Sequence, residues 1–289
     1  QGLDAVCIFV NDIADAEVLR IMASNGVKLL ALRCAGFNNV DLNAAAAAGI
    51  TVVRVPAYSP YAVAEYTVAL MLSLNRKIPR ASWRTKDGNF SLHGLMGFDM
   101  HGKTAGIIGT GKIAKILIHI LKGFGMNILA YDLYPDYNFA REEKIVYTSL
   151  DELYHSSDII SLHCPLTEAT KYLINDYSIS KMKDGVMIIN TGRGQLIHTN
   201  ALIEGLKNKK IGSAGLDVYE EESEYFYEDQ SDRIIDDDVL ARLLSFNNVI
   251  VTSHQAFFTH EALENIAMTT LQNIRDFINH KPLLNEVKK

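Results

Sequence analysis

Apolar residues fall in short runs that alternate with segments of helical periodicity. The first run, Ala5–Val10, is typical of a strand, and the next segment places Leu19 and Met22 at helical spacing before Gly26 ends it. Further apolar runs predict strands at Lys28–Arg33, Thr51–Val55, Thr104–Ile108, Asn127–Tyr131, Asp158–Leu162, Gly185–Ile189, Ser213–Leu216 and Val249–Thr252. Helices are predicted between most of them, including 41–48, 60 to about 75, 113–121 and about 259–279.

This alternation predicts an α/β fold of two doubly wound domains, each a parallel sheet covered by helices on both faces. A polar stretch, Arg80–Gly102, separates the two series of strands. No strand follows the last helix, so we expect that helix to pack on the first domain and make it discontinuous. The expected division is a first domain of residues 1–57 and 258–289 and a second domain of residues 58–257.

Composition narrows the class of protein. The chain has 289 residues, 48% apolar and 21% charged, which suits a globular protein. Its net charge of -6 repels nucleic acid and anionic membranes, and no apolar run approaches the roughly 20 residues that span a bilayer. The three cysteines are far apart, which favours a cytoplasmic location. The chain begins without Met and directly in a strand, so we expect a segment before Gln1.

A glycine turn at 109–114 predicts a dinucleotide site. Its sequence is G-x-G-x-x-A, and it follows an apolar strand and opens an apolar helix. Gly109 permits the tight turn, and Gly111 lets the backbone approach a pyrophosphate. Amides at the start of the helix, from Lys112 and Ile113 onward, then face the phosphates.

Asp132 lies at the end of the following strand, about 20 residues after the turn. A carboxylate in this position accepts hydrogen bonds from the ribose hydroxyls and repels a 2′-phosphate. The next residues are Leu133 and Tyr134, and no Arg is present to bind such a phosphate. The sequence therefore favours NAD over NADP as cofactor.

Ionisable residues follow three of the later strands of the second domain. Arg193 follows 186–189, the carboxylates Glu220–Glu222 follow 213–216, and His254 follows 249–252. The carboxyl ends of parallel strands meet at one edge of a sheet, where ligands bind. Each residue alone has an ordinary structural explanation, but together they suit the reduction of a 2-keto acid. Arg binds the carboxylate, His donates a proton, and a neighbouring carboxylate favours the protonated His.

Other chemistries fit less well. The remaining histidines are scattered, so no metal-ligand spacing is present. A G-x-S-x-G elbow is absent, and so is a phosphate-binding G-x-x-x-x-G-K-[S/T] loop. We therefore expect no metal.

Over almost its whole length the chain resembles the D-2-hydroxyacid dehydrogenases, and among them the lactate-specific bacterial members. The matching segments are 32–41, 55–60, 109–114, 190–194, 215–222 and 254–257. The resemblance implies reversible reduction of pyruvate to D-lactate with NADH. It also implies a Rossmann domain for NAD beside a flavodoxin-like substrate domain, and a further strand and helix before Gln1.

The resemblance also implies roles for single residues. Arg193, Glu222 and His254 would be the catalytic residues, and this selects Glu222 among the three neighbouring glutamates. Asp217 would hold the nicotinamide carboxamide, and Cys164 and Pro165 would line the adenosine. Other implied cofactor-binding residues are Lys112, Ile113, Thr170, Thr191 and Gly192. The implied substrate-binding residues, besides Arg193 and His254, are Ala35 and Gly36 through their amides, and Tyr58 and Phe257 as walls of a small pocket.

Two alternatives remain open at this stage. One is a related dehydrogenase that acts on a bulkier 2-keto acid, and the other is an NAD-sensing binding protein without catalysis. The resemblance further implies a homodimer or homotetramer, with the long helix after Pro60 near the interface. We expect no nucleic-acid or membrane partner.

Overall fold

The alternating pattern folds into two parallel sheets, each covered by helices on both faces, in a computed structural model that describes residues 2–222 and 225–288. This arrangement confirms the predicted α/β class. The chain divides into two compact units, one formed by Gln1–Ser59 with Phe257–Lys289 and the other by Pro60–Ala256. We call them unit 1 and unit 2.

Unit 1 contains, in its described residues, a three-stranded parallel sheet in the order β1-β2-β3. Its elements are β1 (Ala5–Ile8), α1 (Ala16–Ser24), β2 (Leu29–Leu32), α2 (Leu42–Ala47), β3 (Thr51–Val53) and, after unit 2, α11 (His260–Ile278). Leu19 of α1 and Ala45 of α2 pack on one face of the sheet with Leu30. Ile274 and Phe277 of α11 pack on the other face, so the C-terminal helix completes this unit.

Unit 2 contains a parallel sheet whose seven described strands run in the order β10-β9-β8-β7-β4-β5-β6. Its strands are β4 (Thr104–Ile108), β5 (Asn127–Tyr131), β6 (Val146–Tyr147), β7 (Ile159–Leu162), β8 (Val186–Asn190), β9 (Ile211–Leu216) and β10 (Val249–Val251). The chain builds β4 to β6 in one direction and then crosses to β7 on the other side of β4. The sheet therefore has a topological switch point between β4 and β7, where doubly wound folds bind their ligands.

Helices cover both faces of this sheet. They are α3 (Pro60–Arg76), α4 (Ile78–Lys86), α5 (Lys112–Gly123), α6 (Tyr137–Glu143), α7 (Leu150–Ser156), α8 (Asp176–Lys181), α9 (Thr199–Lys207) and α10 (Asp238–Leu244). Helices α3 and α5 pack on one face around Met71, Ile107 and Leu117. Helices α7 to α10 pack on the other face around Leu153 and Leu202.

Two elements were not predicted from the sequence. Strand β6 pairs with β5 at the edge of the sheet. It is two residues long, which is too short for a recognisable alternation of apolar and polar residues. Helix α4 lies in the stretch that the sequence pattern presents as polar. None of its residues is buried, so it has no apolar stripe facing a core. Across the described part of the chain, no helix is long and apolar enough to span a membrane.

Candidate active and cofactor site

The glycine turn joins β4 to α5 at the switch point. Gly109 has a φ of +89°, and a Cβ at this position would lie 2.5 Å from the backbone nitrogen of Cys164. Both the left-handed conformation and the contact exclude a larger residue. Gly111 is the N-cap of α5, and no described atom lies within 4 Å of the place its Cβ would take. Open space thus faces the helix N-terminus, which is suited to a phosphate.

The residues after Gly111 begin α5. Lys112 is exposed and Ile113 half-buried at the first turn, while Ala114 is completely buried against the sheet. The small side chain of Ala114 lets the helix pack closely on the sheet, so that the N-terminus of the helix lies at the glycine turn. The turn, the uncapped helix end and the nearby Asp132 carboxylate together fit a dinucleotide.

Asp132 follows β5 and is tied to the glycine turn. Its Oδ2 accepts hydrogen bonds from the Thr110 amide at 2.6 Å and from the Thr110 hydroxyl at 2.8 Å. Its Oδ1 accepts from the Tyr134 amide at 2.9 Å. Partial burial alone would raise the pKa of the carboxyl, but the hydrogen bonds from Tyr134 and Thr110 outweigh it and the pKa is lowered. Asp132 is therefore held as an anion.

The segment after β7 passes beside the glycine turn. The hydroxyl of Thr170 donates to the carbonyl of Pro165 at 2.7 Å and closes this segment into a loop. Burial raises the pKa of the Cys164 thiol to about 11, so the thiol stays protonated. Burial lowers the pKa of His163 to about 4, and its Nε2 lies 2.8 Å from the Ser161 hydroxyl. His163 is therefore neutral at physiological pH.

Arg193 lies in the turn that follows β8. Asn190 holds this turn, because its side chain accepts from the Gly192 amide at 3.0 Å and donates to the Arg193 carbonyl at 2.8 Å. The buried Thr191 hydroxyl lies 3.0 Å from that of Thr67 on α3. Gly194 has no room for a side chain, since its Cβ would lie 1.9 Å from the carbonyl oxygen of Tyr219.

Glu222 and His254 meet beyond the ends of β9 and β10. Oε1 of Glu222 lies 2.9 Å from Nδ1 of His254, and the two side chains are 25% and 15% exposed. Oε2 of the same carboxylate accepts from the Tyr219 amide at 3.3 Å. Among the described residues, Arg193 makes no hydrogen bond or ion pair with either side chain, and its guanidinium donates to the Gly192 carbonyl. The sheet order brings Arg193 to the same edge, two strands away.

Asp217 organises the segment that carries His254. Its fully buried carboxylate accepts from the Thr252 hydroxyl at 2.7 Å, the Gln255 amide at 2.9 Å and the Ala256 amide at 2.8 Å. Its own carbonyl accepts from the His254 amide at 2.7 Å. Burial raises the pKa of Asp217, although these hydrogen bonds oppose the rise. The carboxylate to which the family resemblance gives a cofactor role is thus engaged by the His254 turn.

His254 itself has a strained backbone, with a φ of +53°. A non-glycine residue in this region needs support from its surroundings. The Tyr227 hydroxyl donates to the His254 carbonyl at 3.2 Å, and the two rings lie 6.1 Å apart. Neither Tyr227 nor Thr252 was predicted from the sequence as a site residue. Thr252 could have been found from its position at a strand end, two residues before His254.

The remaining substrate-binding candidates lie in unit 1. Tyr58 and Phe257 pack edge to face with ring centroids 5.8 Å apart. The carbonyl of Ala35 accepts from the Arg54 guanidinium at 2.9 Å, and Gly36 is the next residue of that loop. The substrate roles of these four residues stay predictions. No group of residues suited to a metal ion occurs in the described ranges 2–222 and 225–288.

Comparison with known proteins gives consistent matches. Residues 68–256 match the family model described as D-isomer specific 2-hydroxyacid dehydrogenase, NAD binding domain. The chain is 55% identical over 287 residues to D-lactate dehydrogenase of Escherichia coli strain K12, an alignment that covers 99% of this chain and 87% of that protein.

Solved structures agree with the sequence matches. A structure of the pyruvate reductase of Chlamydomonas reinhardtii aligns with a TM-score of 0.93 and 49% identity, covering 98% of this chain and 86% of that one. A D-lactate dehydrogenase of Aquifex aeolicus, solved with NAD and lactic acid, aligns with a TM-score of 0.87 and 36% identity, covering 96% and 84%.

Proposed function

The chain belongs to the D-isomer specific 2-hydroxyacid dehydrogenase family, and from this membership we propose that it reduces pyruvate to D-lactate with NADH. NAD is the cofactor of the domain that the family model matches. The observation that carries the proposal is the hydrogen-bonded Glu222–His254 pair at the edge of the sheet where Arg193 also lies. The names of the relatives support pyruvate and D-lactate as the reactants.

In the proposed reaction, pyruvate, NADH and one proton give D-lactate and NAD⁺. When bound, NADH supplies the hydride. We assign the proton to Nε2 of His254, because Nδ1 of the same ring is engaged by Glu222. Glu222 fixes the orientation of the ring and balances the charge of the imidazolium. The fork-shaped guanidinium of Arg193 suits the substrate carboxylate and polarises the carbonyl oxygen next to it.

Turnover assays test this proposal. We expect NADH absorbance to fall with pyruvate, the product to be the D enantiomer by chiral chromatography, and phenylpyruvate and 2-ketoisocaproate to react more slowly. Faster turnover of the bulky acids would show that the protein is a related dehydrogenase whose substrate is a bulkier 2-keto acid. Absence of turnover with every 2-keto acid, in a preparation that binds NADH, would favour the cofactor-sensing alternative.

We also propose that the chain forms a homodimer or homotetramer through the segment that includes α4. Large apolar side chains are exposed there: Trp83 is 69% exposed, Phe90 76% and Met96 88%. Such a group of exposed apolar side chains is typical of an interaction surface. Light scattering should give the mass of a dimer or tetramer, and Trp83→Glu should lower it. Ile234→Glu, at another exposed apolar residue outside this segment, is the matched control. A monomeric wild type would contradict the proposal.

The cytoplasmic location and the expectation that neither nucleic acid nor membrane is a partner stay predictions.

A further inference from the structure

A directed chain of hydrogen bonds runs beneath the Asp132 carboxylate. The Asp136 amide donates to the Tyr147 hydroxyl oxygen at 3.2 Å, and the Tyr147 hydroxyl donates to Oγ1 of Thr110 at 2.8 Å. The Thr110 hydroxyl then donates to Oδ2 of Asp132 at 2.8 Å. Each hydroxyl accepts one bond and donates one, so the chain has a single direction and ends on the carboxylate. Successive bonds of this kind polarise and strengthen one another.

This series of hydrogen bonds fixes the orientation of the Thr110 hydroxyl. Its side chain is buried, and its hydroxyl can donate to Asp132 because Tyr147 donates to its oxygen. Without the Tyr147 hydroxyl, the Thr110 hydroxyl loses the donor that orients it. Oδ2 of Asp132 would then keep the Thr110 amide alone, and the carboxylate would be less firmly held.

The same tyrosine oxygen also links Asp132 to a neighbouring ion pair. Oδ2 of Asp136 lies 2.6 Å from Nζ of Lys115, and Asp136 caps α6 by accepting from the Phe139 amide. Lys115 is therefore paired with the carboxylate of a residue whose backbone amide donates to the Tyr147 hydroxyl. A cation held in this way is less able to turn towards a phosphate, so both parts of the network favour a cofactor without a 2′-phosphate.

We propose that Tyr147 is a positioning residue for cofactor specificity, which acts by fixing Asp132 through Thr110. This inference rests on the proposed role of Asp132 at the adenosine ribose. Tyr147 is half-buried in the edge strand β6, and its ring packs against Tyr137 with centroids 5.9 Å apart. Phenylalanine can keep this packing and remove only the hydroxyl, so Tyr147→Phe is a clean test.

The test measures binding as well as turnover. Calorimetry with NADH and NADPH, and with the fragments AMP and 2′,5′-ADP, gives the dissociation constants of the full-length protein and its variants. Tyr147→Phe should weaken NADH binding by about three- to tenfold, the factor associated with one hydrogen bond, and narrow the preference for NADH over NADPH. The kcat for pyruvate at saturating NADH should stay at the wild-type value. Tyr137→Phe, which removes an exposed hydroxyl from the adjacent ring, should leave NADH binding, the preference for NADH over NADPH and kcat unchanged.

Thr110 provides a second route through the same network. Thr110→Val removes the middle hydroxyl and should reproduce the effect of Tyr147→Phe, whereas Thr110→Ser keeps the hydroxyl and should restore wild-type preference. An unchanged preference in both Tyr147→Phe and Thr110→Val would overturn the inference. So would a fall in kcat equal to the loss of binding, because that pattern indicates a general structural defect.

A double variant separates this inference from the assignment of Asp132. If Tyr147 acts through Asp132, then Tyr147→Phe should have no further effect on the NADH/NADPH ratio in an Asp132→Ala background. An equal effect in both backgrounds would refute the inference and leave Asp132 in place. If Asp132→Ala alone leaves the ratio unchanged, the ribose assignment itself is wrong.

Discussion

Oε1 of Glu222 lies 2.9 Å from Nδ1 of His254, although 32 positions separate the two residues in the chain. An ionised carboxylate can only accept, so Nδ1 of the imidazole carries the donated hydrogen. This contact fixes the ring and leaves Nε2 as the nitrogen that exchanges a proton with a substrate. The orientation of the ring and the choice of its reactive nitrogen thus have one cause.

Substitution of either member of this pair should separate proton transfer from cofactor binding. His254→Gln removes the proton donor, and we expect the kcat for pyruvate to fall about 100- to 10,000-fold while NADH still binds. Glu222→Gln keeps the size of the side chain and removes its charge, so we expect a smaller fall. Steady-state kinetics and calorimetry with NADH measure the two effects separately.

The neighbouring exposed Glu221 provides the control for this experiment. Glu221→Gln makes the same chemical change one residue away, and it should leave kcat within about twofold of wild type, because surface substitutions have small effects. An equal loss of activity in Glu221→Gln and Glu222→Gln would show that the observed contact has no special role. Retained turnover in His254→Gln would remove this residue from the reaction.

The sequence placed these residues at strand ends, but it could not show which of them meet. The residue pattern alone could not distinguish Glu220, Glu221 and Glu222, because all three carboxylates follow the same strand in succession. The choice depends on the turn after β9, where Oε2 of Glu222 accepts the Tyr219 amide. The contacts of Tyr147 with Thr110 could not be predicted either. They join residues far apart in the chain and depend on the register of an edge strand that the pattern did not predict.

Gly194→Ala should disrupt the turn that carries Arg193. The added Cβ would lie 1.9 Å from the Tyr219 carbonyl oxygen, and backbone on both sides would have to move. We expect a loss of about 1–3 kcal/mol in the free energy of unfolding, as overpacking usually costs. We also expect kcat/KM for pyruvate to fall at least about tenfold, since a displacement of about 1 Å near a reacting group has large effects. Urea unfolding and initial rates measure both.

Gly123→Ala is the matched control. A Cβ at Gly123, at the end of α5, would meet no described atom within 4 Å, so stability and activity should change little. If Gly194→Ala behaved like Gly123→Ala, the close approach to Tyr219 would not be a constraint on this turn.

Asp217→Asn should reveal whether this carboxylate acts mainly on the His254 turn. The amide keeps the size of the side chain, but its NH₂ group cannot accept a bond from the Ala256 amide or the Gln255 amide. We expect kcat to fall more than the affinity for NADH, with a stability loss of about 1–3 kcal/mol from an unpaired buried donor. Calorimetry and kinetics compare the two effects. A large loss of NADH affinity at unchanged kcat would instead favour the cofactor role that the family resemblance implies.

The fold was predictable where burial dictates the pattern. Strands β4, β7 and β8 are buried on both faces and appear in the sequence as continuous apolar runs. Helix α4 was missed because most of its residues are polar or charged, and its apolar residues, such as Trp83, are exposed and not part of a core. The sheet order was not readable from the pattern, because the crossing from β6 back to β7 depends on which strand packs beside β4.

The neutral His163 should make the protein sensitive to acid. Burial lowers its pKa from 6.5 to about 4 in the folded state. Since the unfolded chain binds the proton first, the contribution of His163 to stability is complete above pH 6.5 and is lost as the pH falls towards 4. Because unfolding takes up at most one proton at this residue, the free energy of unfolding falls by about 2 kcal/mol between pH 6.5 and pH 5.

His163→Gln removes the titrating ring and can still form a hydrogen bond with Ser161. We expect its urea midpoint to fall less between pH 7 and pH 5 than that of the wild type. The exposed His155, in α7, provides the control, because His155→Gln should leave the wild-type pH profile unchanged. If wild type and His163→Gln lost equal stability over this range, the ring would not be neutral in the folded protein. A steeper loss in His163→Gln would mean that the ring stabilises the fold as a cation, contrary to its lowered pKa.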